Sequence, residues 1–363
     1  MSVKINPIVA ALPDTVPFVA PEEVERARGT AFQARLGANE GNFGAAPAAV
    51  EAMARAAQDD VWKYCDPTAF HLREALAEPL GIPLDALVCG PGIDGLLGLI
   101  VRIFSEPGDR IVSSLGAYPT FNYHVHAYGR QLVTVPYRTY HEDLEALAAK
   151  ASDVGASMIY VSNPDNPMGT WWDGDAIAAF VEAVDPNILI ILDEAYGETA
   201  PAGTLPPIDL DRRNLIRLRT FSKAYGLAGL RVGYAFGAPA LIGLFNRVRD
   251  HFGVNIMAQV AARAALSSSD WLAQTVQQIA DGREAIAAIA QSNGLEPIAS
   301  ATNFVTIDCG GDKGHAERLV AGLAERQIFV RKPMAPGLDH CIRVSVGRPE
   351  EIDLLAAQLP HLL

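Results

Sequence analysis

The chain has 363 residues and a mass of 38.8 kDa; half of its residues are hydrophobic, and the mean hydropathy is +0.14. This is enough apolar material for a full core, which excludes a chain that is disordered throughout. The net charge of −13, from 29 basic and 42 acidic residues, argues against a nucleic-acid-binding scaffold, because phosphate backbones attract cations. At roughly 150 residues per domain, the length predicts two domains.

The cysteines and the N-terminal stretch indicate the compartment. Cys65, Cys89, Cys309 and Cys341 form neither a C-x-x-C pair nor a zinc-finger spacing, so we expect reduced thiols and no metal site. The first residues lack the pattern of a signal peptide, and no apolar run approaches the roughly 20 residues that cross a bilayer. We therefore expect a cytoplasmic protein without membrane or nucleic-acid partners.

Residues 1–46 hold many prolines and glycines with little periodicity, and they are predicted to form an arm that packs on the small domain or on a partner subunit. Over residues 47–245, helix-like segments alternate with short apolar runs. The helix-like segments are 48–57, 69–80 and 93–104, and the strand-like runs are 86–89, 110–115, 131–137, 157–162, 187–193, 215–221 and 231–236. Runs that are apolar on both faces are typical of buried parallel strands. The pattern predicts a large α/β domain with a doubly wound, mostly parallel sheet.

Residues 246–363 are predicted to form a second, smaller α/β domain. Helical patterns cover 239–250, 256–267, 270–292, 315–326 and 349–359, and strand-like runs cover 303–308, 328–331 and 341–346. The long helix at 270–292 is expected to bridge the two domains.

The segment G-P-G-I-D-G places Gly90, Gly92 and Gly95 in a G-x-G-x-x-G pattern between a strand and a helix. A dinucleotide site would also need an acidic residue at the end of the next strand, and that strand ends in Leu115 and Gly116. What remains is a helix N-terminus that can bind an anion. A phosphate cradle at Gly92, Ile93 and Asp94 and a simple tight turn are equally compatible with this motif alone.

Two further segments follow predicted strands and carry charged groups. Asp193 ends a buried strand, where a carboxylate meets a buried cation or caps the next helix. Lys223, in T-F-S-K-A-Y-G-L-A-G-L-R, follows a buried strand and lies among small residues, Ser222 and Arg231. Desolvation and a nearby cation lower the pKa of a lysine and free its amine to attack a carbonyl. The adjacent hydroxyl and guanidinium groups can hold a phosphate.

A rigid loop and two arginines complete the candidate set. The loop S-N-P-D-N-P-M-G follows another strand and offers an amide side chain that can donate to a ligand oxygen. Arg331 and Arg343 lie in or beside strands of the smaller domain, where two guanidinium groups can clamp an anion. An ordinary turn and surface arginines are the simpler interpretations.

Taken together, these residues resemble the fold-type I pyridoxal-phosphate-dependent aminotransferases of class I/II, and most closely the histidinol-phosphate aminotransferase group. The resemblance covers nearly the whole chain, from L-G-A-N-E at 36–40 to R-V-S-V-G-R-P-E-E at 343–351. The residues that carry it by order and spacing are Asn166, Asp193, Tyr196, Ser222, Lys223, Arg231 and Arg343.

The resemblance implies a role for each residue around pyridoxal 5'-phosphate. Lys223 binds the cofactor covalently, Asp193 pairs with its pyridine nitrogen, and Asn166 and Tyr196 hydrogen-bond its phenolic oxygen. Lys223, Asp193 and Tyr196 are the catalytic residues. The phosphate is held by Gly92, Ile93, Asp94, Ser222 and Arg231. Tyr118 stacks on the pyridine ring, with Phe121 as the alternative. Asn39, Arg331 and Arg343 bind the substrate.

The resemblance also implies a homodimer in which Tyr64 reaches the phosphate of the other subunit. It further implies a ping-pong reaction in which an amino donor gives its amino group to 2-oxoglutarate. Lys223 then moves a proton between the substrate and the cofactor.

The arm departs from the usual pattern of the group. Phe18 stands where a tyrosine usually contacts the substrate phosphate, and N-E-G-N-F-G at 39–44 replaces N-E-N-P. The loop between Arg331 and Arg343 is about one residue shorter than is common. These departures concern residues that determine substrate specificity, and none of them concerns the residues that hold the cofactor. The resemblance favours histidinol phosphate as the donor, and because of these departures another amino acid, such as an aromatic one, is the alternative.

Three other functions are compatible with parts of the sequence. A related pyridoxal-phosphate-dependent amino-acid decarboxylase shares the motifs. An effector-sensing module of a transcription regulator would need a DNA-binding domain, for which 46 arm residues leave no room. A dinucleotide-dependent dehydrogenase would leave the Lys223 segment unexplained.

Overall fold

The computed structural model describes residues 3–13 and 19–363, so Phe18 lies outside the described residues. The strands are β1 Ala34–Arg35, β2 Leu87–Gly90, β3 Arg110–Ser114, β4 Gln131–Val135, β5 Met158–Ser162, β6 Leu189–Asp193, β7 Leu215–Thr220, β8 Gly233–Gly237, β9 Glu296–Pro297, β10 Phe304–Asp308, β11 Ile328–Phe329 and β12 Cys341–Ser345. The helices are α1 Pro7–Ala10, α2 Pro21–Arg28, α3 Pro47–Asp59, α4 Phe70–Leu80, α5 Gly92–Phe104, α6 Pro119–Ala127, α7 Leu144–Asp153, α8 Gly174–Ala183, α9 Pro239–Ile242, α10 Ile256–Leu266, α11 Ser269–Ser292, α12 Lys313–Glu325 and α13 Pro349–Gln358. In the part of the chain that the structure describes, no helix combines the length and the apolar character that a membrane crossing requires.

The main sheet has seven strands in the order β2-β8-β7-β6-β5-β3-β4. Strand β8 is antiparallel to both of its neighbours, β2 and β7, and the other strand pairs are parallel. This confirms the predicted α/β architecture with a mostly parallel sheet. Each predicted apolar run of 47–245 coincides with one of these strands to within a few residues.

Helices cover both faces of the main sheet, as continuous apolar strands require. Alternate residues of a strand point to opposite faces, so β6 sends Leu189 and Ile191 into the layer of α5 and α6, and Ile190 and Leu192 into the layer of α7 and α8. Asp193 continues the first series. Its carboxylate is therefore on the α5 and α6 side of the sheet.

The C-terminal part contains a three-stranded antiparallel sheet in the order β12-β10-β9. The predicted strand at 328–331 meets this sheet through a single backbone bridge between Arg331 and Arg343 of β12. Its regular part is reduced to β11, which pairs in parallel with β1 of the arm through Ala34 and Ile328. The arm is thereby attached to the C-terminal part by backbone hydrogen bonds.

The helical pattern predicted over 239–250 is wrong as a single helix. Helix α9 ends at Ile242, and a short 3₁₀ segment continues from Gly243 to Arg247. Glycine favours a helix less than any residue except proline, which is consistent with a change of helix type at Gly243.

Helix α11 is an uninterrupted helix of 24 residues. It packs on β9, β10 and α13, and it also contacts the turn at 197–199 that follows β6. From this helix, Arg283 donates to the carbonyls of Thr199 (3.1 Å) and Thr302 (2.9 Å). Helix α11 therefore contacts elements on both sides of the predicted boundary at residue 245, and the division into domains stays a prediction.

Candidate active site

The candidate residues follow strands that end at one edge of the main sheet. Asp193 ends β6 and faces Ser162 at the end of β5. Strand β7 ends at Thr220, three residues before Lys223. Because these strands are parallel, the segments that follow them meet at the carboxyl edge, where open α/β sheets bind ligands.

Lys223 lies partly buried at this edge. Its Nζ donates to the carbonyl oxygen of Asn39 at 2.9 Å and lies 5.5 Å from the centroid of the Tyr196 ring. Burial, followed by the charges of Arg343 and Arg231, lowers the pKa of Lys223 to about 8. A substantial fraction of this amine is neutral near physiological pH, as attack on a carbonyl requires.

Asp193 is a buried carboxylate with only 4% of its surface exposed. The Tyr160 hydroxyl donates to its Oδ2 at 2.8 Å, and the backbone N–H of Ala195 donates to its Oδ1 at 3.0 Å. Burial raises the pKa of Asp193 to about 6, and the two hydrogen bonds and the charge of Lys223 oppose that rise. A buried carboxylate of this kind is suited to pair with a cationic ligand group.

Asn39 connects the arm to this edge. Its Nδ2 donates to the Tyr196 hydroxyl at 3.1 Å, and its Oδ1 accepts from the Ser345 hydroxyl at 2.8 Å. Asn39 has a φ of 54°, a left-handed conformation that asparagine tolerates better than most residues. Burial raises the pKa of Tyr196, so its phenol stays protonated and can donate.

An anion cradle lies at the N-terminus of α5. Gly92 has a φ of 76°, and a Cβ atom at this position would collide with the guanidinium of Arg231. The Arg231 Nη1 atom lies 3.5 Å from Ser222 Oγ, which Thr220 holds at 3.0 Å. The free N–H groups of the first helical turn, the hydroxyl and the guanidinium together form a site for a phosphate.

Asp94 lies in the first turn of α5, next to this cradle. Its carboxylate is 2.8 Å from Nε2 of His124 on α6. The side chain therefore pairs with a histidine and is not free to face the cradle. Any contribution of Ile93 and Asp94 to anion binding comes from their backbone N–H groups.

Arg343 and Arg331 are brought together on the C-terminal side of the site. Their backbones form a bridge, with the N–H of Arg343 donating to the carbonyl of Arg331 at 2.6 Å. Arg343 Nη1 donates to Asn166 Oδ1 at 2.6 Å. Burial and the neighbouring charge of Arg343 lower the pKa of Arg331 to about 10. Two adjacent guanidinium groups repel each other, so this arrangement favours a bound anion.

Of the two aromatic residues considered for stacking, Phe121 is fully buried and stacks on Tyr160, with 4.4 Å between ring centroids. Tyr118 directly precedes α6 at the edge of the site, and burial raises the pKa of its phenol. The ring of Phe121 is thus used inside the core. Tyr118 remains the residue proposed to stack on a ligand.

Tyr64 does not contact the other candidate residues within one chain. Its side chain is 81% exposed, and among the described residues its ring stacks on Phe252 alone, with 4.6 Å between ring centroids. Trp62, two residues earlier, is equally exposed. A contribution of Tyr64 to a phosphate site needs a second copy of the chain and stays a prediction.

Reasoning from the sequence missed three residues that hold the site together: Tyr160, Thr220 and Ser345. Each carries a hydroxyl group on a strand that is otherwise mostly apolar. The three hydroxyl groups bond the candidate residues Asp193, Ser222 and Asn39, respectively. An isolated hydroxyl at a buried strand position was the available signal, because buried polar groups need partners.

The chain is similar to known proteins over most of its length. The sequence model of the family described as aminotransferase class I and II matches residues 33–359. A protein of Ralstonia nicotianae named histidinol-phosphate aminotransferase 2 is 38% identical over 91% of this chain and 88% of its own length. The crystal structure of a histidinol-phosphate aminotransferase from Sinorhizobium meliloti, in complex with pyridoxal-5'-phosphate, is 46% identical. It covers 100% of this chain and 98% of its own, with a TM-score of 0.97.

A third protein shares the fold alone. The crystal structure of an L-threonine-O-3-phosphate decarboxylase from Porphyromonas gingivalis has a TM-score of 0.78 and is 21% identical, covering 90% of this chain and 98% of its own. An aminotransferase and a decarboxylase therefore share this architecture, so the fold alone does not determine the reaction.

Proposed function

We propose that this chain, which belongs to the aminotransferase class I and II family, is a pyridoxal-phosphate-dependent aminotransferase acting on a small amino donor and a 2-oxo acid. The observation that carries the proposal is a single site where a lysine with a pKa near 8 lies beside a buried carboxylate and an anion cradle. The Sinorhizobium meliloti relative, 46% identical to this chain, has pyridoxal-5'-phosphate bound.

The residues present fit this cofactor. The cradle of Gly92, Ser222 and Arg231 would hold its phosphate, and a Cβ at position 92 would displace the Arg231 guanidinium. Asp193 would pair with its ring nitrogen, and Lys223 would bind its aldehyde carbon. When bound, the cofactor supplies an electron sink for negative charge that develops on the substrate.

Three polar or aromatic side chains would fix the ring. Asn166 accepts from Arg343 through Oδ1, so its Nδ2 is the atom left to donate to the phenolic oxygen. The phenol of Tyr196, protonated because burial raises its pKa, would donate to the same oxygen. Tyr118 would stack on the ring face.

Lys223 would act as the general base and then as the general acid. Its amine, once released by the incoming substrate amine, would take the proton from the substrate α-carbon. A pKa near 8 suits both roles, because proton transfer is most effective when the pKa of the group is close to the working pH.

The guanidinium pair would bind the substrates in turn. Arg343, assisted by Arg331 and with Asn39 nearby, would hold the anionic end of the donor and then that of the acceptor in a ping-pong sequence. We propose histidinol phosphate as the donor, because several relatives that cover most of this chain are named histidinol-phosphate aminotransferase. We propose 2-oxoglutarate as the acceptor, an anion that the same guanidinium pair can bind.

The proposed working form is a cytoplasmic homodimer. All four cysteines are free thiols, as a reducing compartment requires. The exposed aromatic residues around Tyr64 would be covered by the second subunit, and Tyr64 would then reach the phosphate of its neighbour.

The test is a panel of amino donors that includes histidinol phosphate and aromatic amino acids, with 2-oxoglutarate as the acceptor. Turnover of histidinol phosphate to the corresponding carbonyl product, with formation of glutamate, is expected. Activity only with other donors would reject histidinol phosphate as the donor and would still support an aminotransferase reaction. Carbon dioxide release without a keto product would instead indicate decarboxylation.

A variant tests the cofactor assignment directly. Lys223→Ala is expected to lose both the visible absorbance of the lysine-bound cofactor and transamination, because no other lysine of the chain lies in this site. Normal absorbance and turnover in that variant would refute the proposed function.

A further inference from the structure

We propose that Tyr160 is a positioning residue for this reaction: its hydroxyl fixes the orientation of the Asp193 carboxylate and limits how strongly that carboxylate attracts a proton. The inference rests on the proposed function, because it concerns the carboxylate that would face the ring nitrogen of the cofactor.

The register of the main sheet brings the two side chains together. Tyr160 on β5 is the partner of Ile191 on β6. Because side chains alternate between the faces of a sheet, Ile191 and Asp193 share a face, and Tyr160 shares it with them. The Tyr160 hydroxyl reaches Asp193 Oδ2 at 2.8 Å, in a region where both residues are buried.

Both carboxylate oxygens of Asp193 are therefore engaged from the protein side. Oδ1 accepts from the N–H of Ala195 at 3.0 Å, while Oδ2 accepts from Tyr160. A rotation of the carboxylate would break both hydrogen bonds. Each hydrogen bond to a buried charged group favours the bonded orientation over the rotated one by roughly 10-fold or more. Its plane is thus set before any ligand arrives.

The ring of Tyr160 is itself held in place. It has no exposed surface, and Phe121 of α6 stacks against it with 4.4 Å between centroids and 17° between planes. Burial and the charge of Asp193 raise the pKa of Tyr160 well above its usual range. The hydroxyl therefore keeps its proton and acts only as a donor toward the carboxylate.

The direction of the electrostatic effect follows from these contacts. Burial alone makes the Asp193 carboxylate a stronger base, and the Tyr160 hydrogen bond opposes that effect. Without this bond, the carboxylate would compete better for the proton that it shares with a ring nitrogen. A ring that loses this proton is a weaker electron sink, so the hydroxyl would support the reaction without touching substrate or cofactor.

The experiment compares two tyrosine-to-phenylalanine variants of the cofactor-loaded enzyme. Tyr160→Phe keeps the stacked ring and removes only the hydroxyl. Tyr137→Phe is the matched control, because its hydroxyl also binds a buried carboxylate, that of Asp165, at 2.9 Å. The readout is the pH titration of the visible absorbance of the bound cofactor, with kcat as a second readout.

Tyr160→Phe is expected to raise the midpoint of this titration by about 0.5 unit or more, because a ring that has lost its positive charge no longer repels a proton on the lysine-linked nitrogen. We expect kcat to fall about 10-fold, and Tyr137→Phe to leave the titration unchanged. Phe121→Leu, which loosens the ring and keeps the hydroxyl, is expected to raise the midpoint by a smaller amount and serves as the second test if Tyr160→Phe does not fold.

A midpoint and kcat of Tyr160→Phe equal to those of the parent would overturn the positioning role, as would equal shifts in both tyrosine variants. If Tyr160→Phe does not fold, an unchanged midpoint in Phe121→Leu would overturn it. These results differ from a failure of the proposed function, in which the parent protein itself would show no cofactor absorbance to titrate.

Discussion

At the scale of single residues, the site combines groups that are costly to place together without a ligand. Lys223 is partly desolvated beside two arginines, and Asp193 is buried with a pKa near 6. Charged groups in such surroundings destabilise the empty protein, which is common where binding will later supply the missing partner.

The charge on Lys223 predicts a pH-dependent stability of the cofactor-free protein. The pKa of about 8 in the fold lies below the value of 10.5 for an ordinary lysine, so folding is penalised fully below pH 8 and not at all above about pH 10.5. Lys223→Met should therefore be more stable than the parent by about 1 kcal/mol at pH 7, after allowance for the lost hydrogen bond to Asn39.

Urea unfolding of the two cofactor-free proteins at pH 7 and pH 10.5 checks this prediction. The advantage of the methionine variant should disappear at the higher pH. A difference that is the same at both pH values would show that it comes from packing and not from the charge.

Gly92 makes the anion cradle sensitive to a single methyl group. Gly92→Ala places a Cβ against Arg231 and imposes a left-handed conformation on alanine, so the affinity for the cofactor should fall at least about 10-fold. The measurement is a fluorescence titration of the cofactor-free protein.

Gly243→Ala is the matched control for this change, because a Cβ at that position meets no atom and the φ is −58°. It should bind the cofactor like the parent and be slightly more stable. Equal affinity in Gly92→Ala and Gly243→Ala would argue against a cradle at the N-terminus of α5.

At the scale of elements, buried salt bridges link Glu194, the residue that follows β6, to two arginines of β7. Glu194 has no exposed surface and accepts from Arg217 at 2.9 and 2.6 Å and from Arg219 at 2.9 Å. Removing one partner of such a group leaves part of its charge uncompensated in the core.

Arg217→Met should therefore destabilise the protein by about 3 kcal/mol, measured by urea unfolding. Lys150→Met removes an exposed pair with Asp153 and should change the stability by less than about 0.5 kcal/mol. Comparable losses in the two variants would contradict the importance of the buried pair.

Elements with a strong local pattern could be predicted from the sequence, and pairings between distant segments could not. The apolar runs that became β5, β6 and β7 are buried on both faces, so their pattern is unambiguous. Strand β11 has only two residues, and its partner β1 lies almost 300 positions earlier in the chain. No local periodicity encodes such a choice.

The same limit applies to the site. Lys223 and Asp193 were identified because each lies at or just after the end of a predicted strand. Parallel strands end at the same edge of the sheet, so the position of both residues follows from the strand direction. Tyr160 was missed because the sequence of β5 does not say which neighbouring strand will face its hydroxyl, and that depends on the strand order.

At the scale of the whole molecule, the exposed position of Tyr64 predicts sites shared between two copies. Tyr64→Ala and Lys223→Ala should each be nearly inactive alone. In a mixed dimer, the Lys223 of the first variant would meet the Tyr64 of the second, which restores one complete site. Mixing the two variants under conditions of subunit exchange should therefore recover activity.

The assay is turnover before and after mixing, with subunit exchange followed by a mass tag on one variant. Exchange without any recovery of turnover would contradict a site built from two subunits. Each variant mixed with itself provides the baseline.

The attachment of the arm has a consequence for folding kinetics. Asn39 bonds Lys223 and Tyr196 on one side and Ser345 on the other, and β1 is fastened to β11. The side-chain contacts of Asn39 with Tyr196 and Ser345 span 157 and 306 positions of the chain, and contacts between such distant segments form slowly because long loops must close first. The site around Lys223 is therefore expected to be completed late in folding, after the local strand–helix units of the main sheet.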